Sequence, residues 1–99
     1  MDEDVEWPPP GARVRSTLWR AEGHLERGEY AQAAQALEQV FGLGGDRVLV
    51  RGLYHLAAAG WRQQHGETER ARRQLSHARS RLGRRRRRLV ALVARDLGS

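Results

Sequence analysis

The stretch GEYAQAAQALEQVF, residues 28–41, decides how this chain is read. Tyr30, Ala33, Ala34, Leu37, Val40 and Phe41 recur at the three- and four-residue steps that put them on one face of an α-helix. Gly28 stands where it stops the helix before, and the alanines of this second helix let neighbours approach closely.

The same spacing extends outward. Upstream, Val14, Leu18, Ala21 and Leu25 predict a first helix beginning at Ala12. Downstream, GLGG at 42–45 is the strongest break, and Asp46 is a good N-cap for a third helix over about 47–65. Leu49, Gly52, Leu53, Leu56, Ala57 and Gly60 share one face of it. Gly66 ends that helix; Ala71, Leu75, Ala78 and Leu82 mark a fourth, over about 67–82, which Gly83 closes. The last segment, RRRRRLVALVARDLG, has Leu89, Val90, Leu92, Val93 and Leu97, enough apolar residues for a short fifth helix. That segment is also the one expected to dock on a second copy or another protein, or else to pack internally. No run alternates as a β-strand would. Residues 1–11, acidic and ending in WPPPG, read as a disordered tail, and residues 12–98 as a single helical domain.

Gly66-Glu67-Thr68 repeats Gly28-Glu29-Tyr30 at a shift of 38 residues, and Ala33 and Leu37 in the first copy correspond to Ala71 and Leu75 in the second. This resembles the second helix of tetratricopeptide repeats, with a period longer than their usual 34 or so. The expected fold is all-α: a four- to five-helix antiparallel bundle of tetratricopeptide-like hairpins.

At 99 residues the chain has room for one core. It contains no cysteine, which excludes disulfides, thiolate metal sites and cysteine nucleophiles and fits a reducing compartment. The acidic start MDEDVEW lacks the basic and apolar parts of a signal peptide, and no segment approaches the roughly 18 apolar residues of a membrane span, so a cytoplasmic location is expected. The net charge is +6, and all 18 basic residues are arginine. Lysine, isoleucine and asparagine, whose codons are AT-rich, are absent, so a GC-rich coding sequence accounts for part of that arginine. Four of the twelve acids fall within the first six residues, while residues 62–88 hold eleven arginines against Glu67 and Glu69. This polarity is expected either to steer an anionic partner or to let the acidic tail fold back on the basic face when nothing else is bound.

Tyr30, Ala33, Leu37 and Glu38, with Gly28 ahead of them, then Gly52, Leu53, Leu56 and Ala57, then Gly66 and Ala71, form a pattern over about residues 19–82. It resembles the bacterial and archaeal family called domain of unknown function 309, small helical bundles whose signature reads roughly Y-F-E-A-H-E-x-L-E, later G-L-I-Q-x-A, then a glycine opening another helix. The departures fall on polar letters: Ala34 replaces a histidine, Gln35 a glutamate, His55 a glutamine, and Trp61 lies near a further common histidine. The resemblance implies a helical bundle whose polar pocket is eroded, with Glu38 the surviving polar position. Alanine at 34 neither ligates a metal nor transfers a proton.

The resemblance thus implies a pocket around Glu38, Tyr54, His55 and Trp61, with Leu53 also lining the groove. His24, Glu38 and His55 are one set that could meet across the first three helices; a partly buried polar cluster or surface positions account for them, and no metal or cofactor is expected. Glu38 itself is expected to pair with Arg51 or His55, or to cap a helix. Serines fall outside any nucleophile motif and GLGGD lacks the continuation of a phosphate loop, so no catalytic residue and no enzyme activity are expected. Trp19 and Trp61 are expected in the core or lining a groove. A surface for anions is expected at Arg72, Arg73, Arg79, Arg81, Arg84, Arg85, Arg86, Arg87 and Arg88, the last five being read as the start of the final helix, against its dipole. The expected function is a non-enzymatic binding or protein-interaction module, with a protein partner or a homodimer. The alternatives are non-specific nucleic-acid binding through residues 84–88 and a vestigial ligand or metal pocket around Glu38.

Overall fold

Two turns of the same shape set the architecture. The structure, a computed structural model, describes residues 10–44 and 46–98. Five helices follow one another, α1 (Pro10–Glu26), α2 (Tyr30–Leu43), α3 (Arg47–Gln64), α4 (Thr68–Leu82) and α5 (Arg87–Asp96), and no strand occurs among the described residues. Gly28 and Gly66 take φ of 74° and 75°, the left-handed region in which a side chain is strained. The next residue is nearly superimposable in the two turns: φ −89° and ψ 69° at Glu29, φ −92° and ψ 64° at Glu67. Each glutamate's backbone N–H donates to a carbonyl on the preceding helix, that of His24 at 2.8 Å and that of Arg62 at 2.9 Å. Each carboxylate accepts from the side chain of that same residue, from His24 Nδ1 at 2.8 Å and from Arg62 Nη1 at 3.0 Å. The repeat seen in sequence is therefore a repeat of turn geometry. It yields two helical hairpins, α1–α2 and α3–α4, and Gln64 Nε2 ties their turns by donating to the Gly28 carbonyl at 3.1 Å.

Small residues decide how closely the helices lie. A Cβ on Gly60 would run into the ring of Tyr30, and one on Gly52 would sit 2.6 Å from Leu82 Cγ. The Tyr30 ring thus lies against the α3 backbone, and Leu82 of α4 against the same helix lower down. Around these contacts Leu25, Leu37, Val40, Val50, Leu53, Leu56, Ala57, Ala71, Leu75, Ala78 and Leu82 form one buried core. Burial of each large side chain among them contributes about 1.5–3 kcal/mol relative to exposure.

The helix starts differ from expectation at both ends. α1 begins at Pro10, two residues before Ala12, because proline's missing N–H costs nothing in the first turn of a helix. The rest of the expected tail, residues 1–9, lies outside the described residues. Asp46 caps α3 as expected, its carboxylate accepting from the Leu49 N–H at 3.1 Å, and Arg85 Nη2 reaches its other oxygen at 3.1 Å. The backbone bond first and the guanidinium second hold the Asp46 carboxyl below its ordinary range.

The arginine run does not begin the last helix. Residues 83–86 form a turn, and only Arg87 and Arg88 are helical. Arg86 caps α5 with φ 57°, the sole non-glycine in the left-handed region among the described residues, and its Nε donates to Glu22 of α1. Leu89, Val93, Ala94 and Leu97 are buried in the shared core, so the apolar face expected to seek a partner is spent inside the molecule. α5 packs on α1, α3 and α4, and Asp96 at its end accepts from the Tyr30 hydroxyl at 2.7 Å. Arg86→Gln removes the tether and keeps the strained backbone, which should lower stability by about 1 kcal/mol. Arg86→Gly relieves that strain while losing the same tether and should fall closer to the parent, a comparison that urea unfolding of the two variants makes directly.

Candidate functional site

An open groove of about 420 Å³ runs between α2, α3 and the middle of α4. Alanines make up much of its lining: Ala31 and Ala34 from α2, Ala57 and Ala58 from α3. Tyr30, Tyr54 and Trp61 supply aromatic walls, and His55, Arg62 and Gln74 the polar rim. α3 contributes most of the lining because Tyr54, Ala58 and Trp61 recur at four- and three-residue steps, a stripe displaced by one residue from the buried Leu53, Ala57 and Gly60.

Tyr54, His55 and Trp61 of the expected pocket are brought together here, and Trp61 is 39% exposed with its ring stacked on His65, centroids 3.9 Å apart. Leu53, expected beside them, is instead wholly buried, since it points from α3 into the core. Glu38 is exposed and outside the lining; it accepts from the Tyr54 hydroxyl at 3.3 Å, in place of the expected Arg51 or His55. The signal for Ala31, Ala58, Arg62 and Gln74 was weak, because lining alanines and rim glutamines look in sequence like any helix surface.

The polar rim is built of engaged groups. His55 Nδ1 donates to Gln74 Oε1 at 2.7 Å, and the His55 ring lies 5.3 Å from that of His77. Arg62 is held by Glu67. Burial, then the Asp96 carboxylate, pushes the Tyr30 hydroxyl far above the ordinary tyrosine range; burial, then Glu38, raises that of Tyr54. Both phenols are neutral donors throughout the physiological range. At the α4 end Arg62, Arg70, Arg73, Gln74 and His77 line an adjoining basic depression.

His24, Glu38 and His55 do not meet. His24 pairs with Glu29, whose carboxyl is held low first by that hydrogen bond and then by Arg27. Among the described residues no three histidines or carboxylates are grouped as metal ligands would be.

The nine arginines of the expected anion surface divide. Arg85 and Arg86 are occupied by Asp46 and Glu22, Arg72 lies 3.8 Å from Glu69, and Arg81 Nη1 donates to the His77 carbonyl at 3.4 Å. Arg73, Arg79, Arg84, Arg87 and Arg88 point to solvent. The turn at 83–86 splays the run toward different neighbours, so it does not form a single strip. Trp19, expected in the core or a groove, is 76% exposed on α1, where it edges a depression of about 450 Å³ between α1 and α5.

The described chain is thus an all-α helical bundle with an open, aromatic-walled groove on one side. No family model, curated protein or solved structure matches it. No helix among the described residues is long and apolar enough to cross a membrane.

Proposed function

We propose that this chain is a small, non-enzymatic protein-interaction module that takes an apolar side chain of a partner segment into the α2–α3–α4 groove. The observation that carries this reading is the groove itself: an alanine-rich lining beside Tyr54 and Trp61, open to solvent and deep enough for one or two side chains. Exposed aromatic surface of this kind is what anchors protein contacts. The matched hairpin turns support a tetratricopeptide-like arrangement, a class of stacked hairpins that present surfaces to extended segments. Arg70, Arg73 and His77 at the α4 end favour an acidic residue beside the anchor.

The resemblance to the 309 family sharpens this reading. Ala34, His55 and Trp61, three positions at which that family's polar letters are lost or displaced, line the one groove. A methyl in place of imidazole at position 34 leaves that part of the lining apolar, while His55 keeps an imidazole on the rim. Glu38, outside the lining and bonded to Tyr54, fits a supporting part better than a vestigial site. A cysteine-free chain suits the cytoplasm.

A display library of short peptides screened on the folded protein tests the proposal. Enriched peptides should share an apolar anchor flanked by acids, and Ala58→Arg, which fills the groove from a partly exposed position, should abolish their binding while the thermal midpoint stays within a few degrees. Enrichment that Ala58→Arg leaves intact would place binding elsewhere. Nucleic-acid contact is the second reading, favoured by exposed Arg79, Arg84, Arg87 and Arg88. It requires duplex or RNA binding that weakens steeply with salt and fails in the Arg84→Gln, Arg87→Gln, Arg88→Gln variant; absence of binding at low salt removes it.

A further inference from the structure

α4 presents four donor-bearing side chains on one face, with no carboxylate among them. Arg70, Arg73, Gln74 and His77 fall at positions i, i+3, i+4 and i+7, a stripe about 10 Å long. With Arg62 of α3 they line the depression of about 270 Å³ beside the groove, and Arg62 and Gln74 border both. The two are therefore one continuous site with an apolar half and a basic half. Arg62 joins them directly, its guanidinium lying 5.9 Å from the centre of the Trp61 ring.

The polar groups of the basic half are left to donate. Gln74 Oε1 is taken by His55, which leaves the Nε2 hydrogens for an acceptor. Arg62 and Arg70 both engage Glu67 through Nη1 alone, at 3.0 to 3.1 Å, so that carboxylate holds them in place while their Nη2 edges stay open. Arg73 is exposed and joins no hydrogen bond or ion pair among the described residues. Glu69, the other carboxylate of α4, lies 3.8 Å from Arg72 and borders Arg70 and Arg73 in a separate depression at the helix start. Three guanidiniums against the one carboxylate of Glu67 leave the basic half with a net charge of +2, histidine counted as neutral. A partner's aspartate or glutamate matches one of those charges. A phosphomonoester, at about −1.5 to −2 near neutral pH, matches both and offers several acceptor oxygens to the guanidinium forks.

We infer that the partner segment is phosphorylated, with a phosphoserine or phosphothreonine in the basic half and the apolar anchor in the groove. The inference rests on the interaction reading above and names the chemistry of its partner. A short phosphorylated side chain is the one that fits, because no apolar residue lines the depression and nothing there would cover a phosphotyrosine ring. The shared walls of the two halves set the anchor within about three residues of the phosphate along an extended segment. Binding is then conditional on the phosphorylation state of the partner.

Three degenerate peptide libraries, alike but for a central phosphoserine, aspartate or serine, test the inference on the folded full chain. An enriched sequence, resynthesised in the three forms and titrated by fluorescence anisotropy, should bind as phosphoserine about tenfold or more tighter than as aspartate. Arg73→Gln should bring those two forms to similar affinity, and the fold should be unaffected because Arg73 has no partner within the described residues. Trp61→Ala should weaken both forms by a similar factor, whereas Arg15→Gln, at an exposed α1 position outside the lining, should weaken neither. A phosphoserine form no tighter than the aspartate form, with the Trp61 dependence intact, overturns the inference and leaves the interaction reading standing; no enrichment from any library removes both. A phosphoserine preference that survives Arg73→Gln also overturns it, as does displacement of the phosphopeptide by an equal concentration of a short DNA duplex, the mark of a general polyanion surface.

Discussion

Replacing Gly60 with alanine should destabilise the fold by about 2 kcal/mol, although alanine is the better helix former by about 1 kcal/mol. The reason is the Tyr30 ring, whose Cδ1, Cε1 and Cζ occupy the place the new methyl would take. That ring is only 3% exposed, and its hydroxyl is fixed 2.7 Å from Asp96 at the far end of the chain. To yield, it must either break the hydrogen bond to α5 or push α2 away from α3, and both disturb contacts that the whole core shares. The expected loss corresponds to a fall in melting temperature of roughly 10 °C for a domain of this size. Urea unfolding in two backgrounds isolates the cause. In Tyr30→Leu, which starts less stable, Gly60→Ala should cost much less, since the obstructing ring is gone. An equal cost in both backgrounds would show that the ring is not what opposes the methyl.

That contact shows where sequence suffices and where it stops. The helices, their order and their breaks were legible because apolar spacing and glycine positions are local properties: Ala33, Leu37 and Val40 on α2 and Leu49, Leu53 and Leu56 on α3 are all buried as their periodicity requires. The 38-residue repeat was legible for the same reason and turned out to be a repeat of the turn itself. The pairing of Tyr30 with Gly60 was not, since nothing local says which glycine a ring will cover. The arginine run misled because five like residues suggest one charged strip, while the turn at 83–86 sends Arg85 to Asp46 and Arg86 to Glu22. Trp19 misled in the opposite sense: the helical spacing that buries Ala21 and Leu25 and half-buries Leu18 turns Trp19 and Arg20 outward.

The candidate groove was half legible, and Leu53 marks the boundary. Tyr54, Leu53 and Trp61 are all apolar or aromatic on one helix, yet successive helical residues are rotated by about 100°, so Leu53 faces the core when Tyr54 faces the groove. Leu53→Ala should accordingly cost about 3–4 kcal/mol, the range in which a wholly buried leucine leaves a cavity its neighbours cannot close. For a domain whose total stability is of the order of 5–10 kcal/mol, that loss takes a large share of the folded population's margin. Trp61→Ala, at a 39% exposed position stacked on His65, should cost less than about 1.5 kcal/mol and leave a cooperative transition. Denaturant curves for the two variants would invert this order only if Trp61, and not Leu53, held α3 to the bundle. In the peptide screen the order reverses: at temperatures where both variants are folded, Leu53→Ala should retain binding and Trp61→Ala should lose it. The two substitutions therefore separate the part of α3 that builds the scaffold from the part that meets a partner.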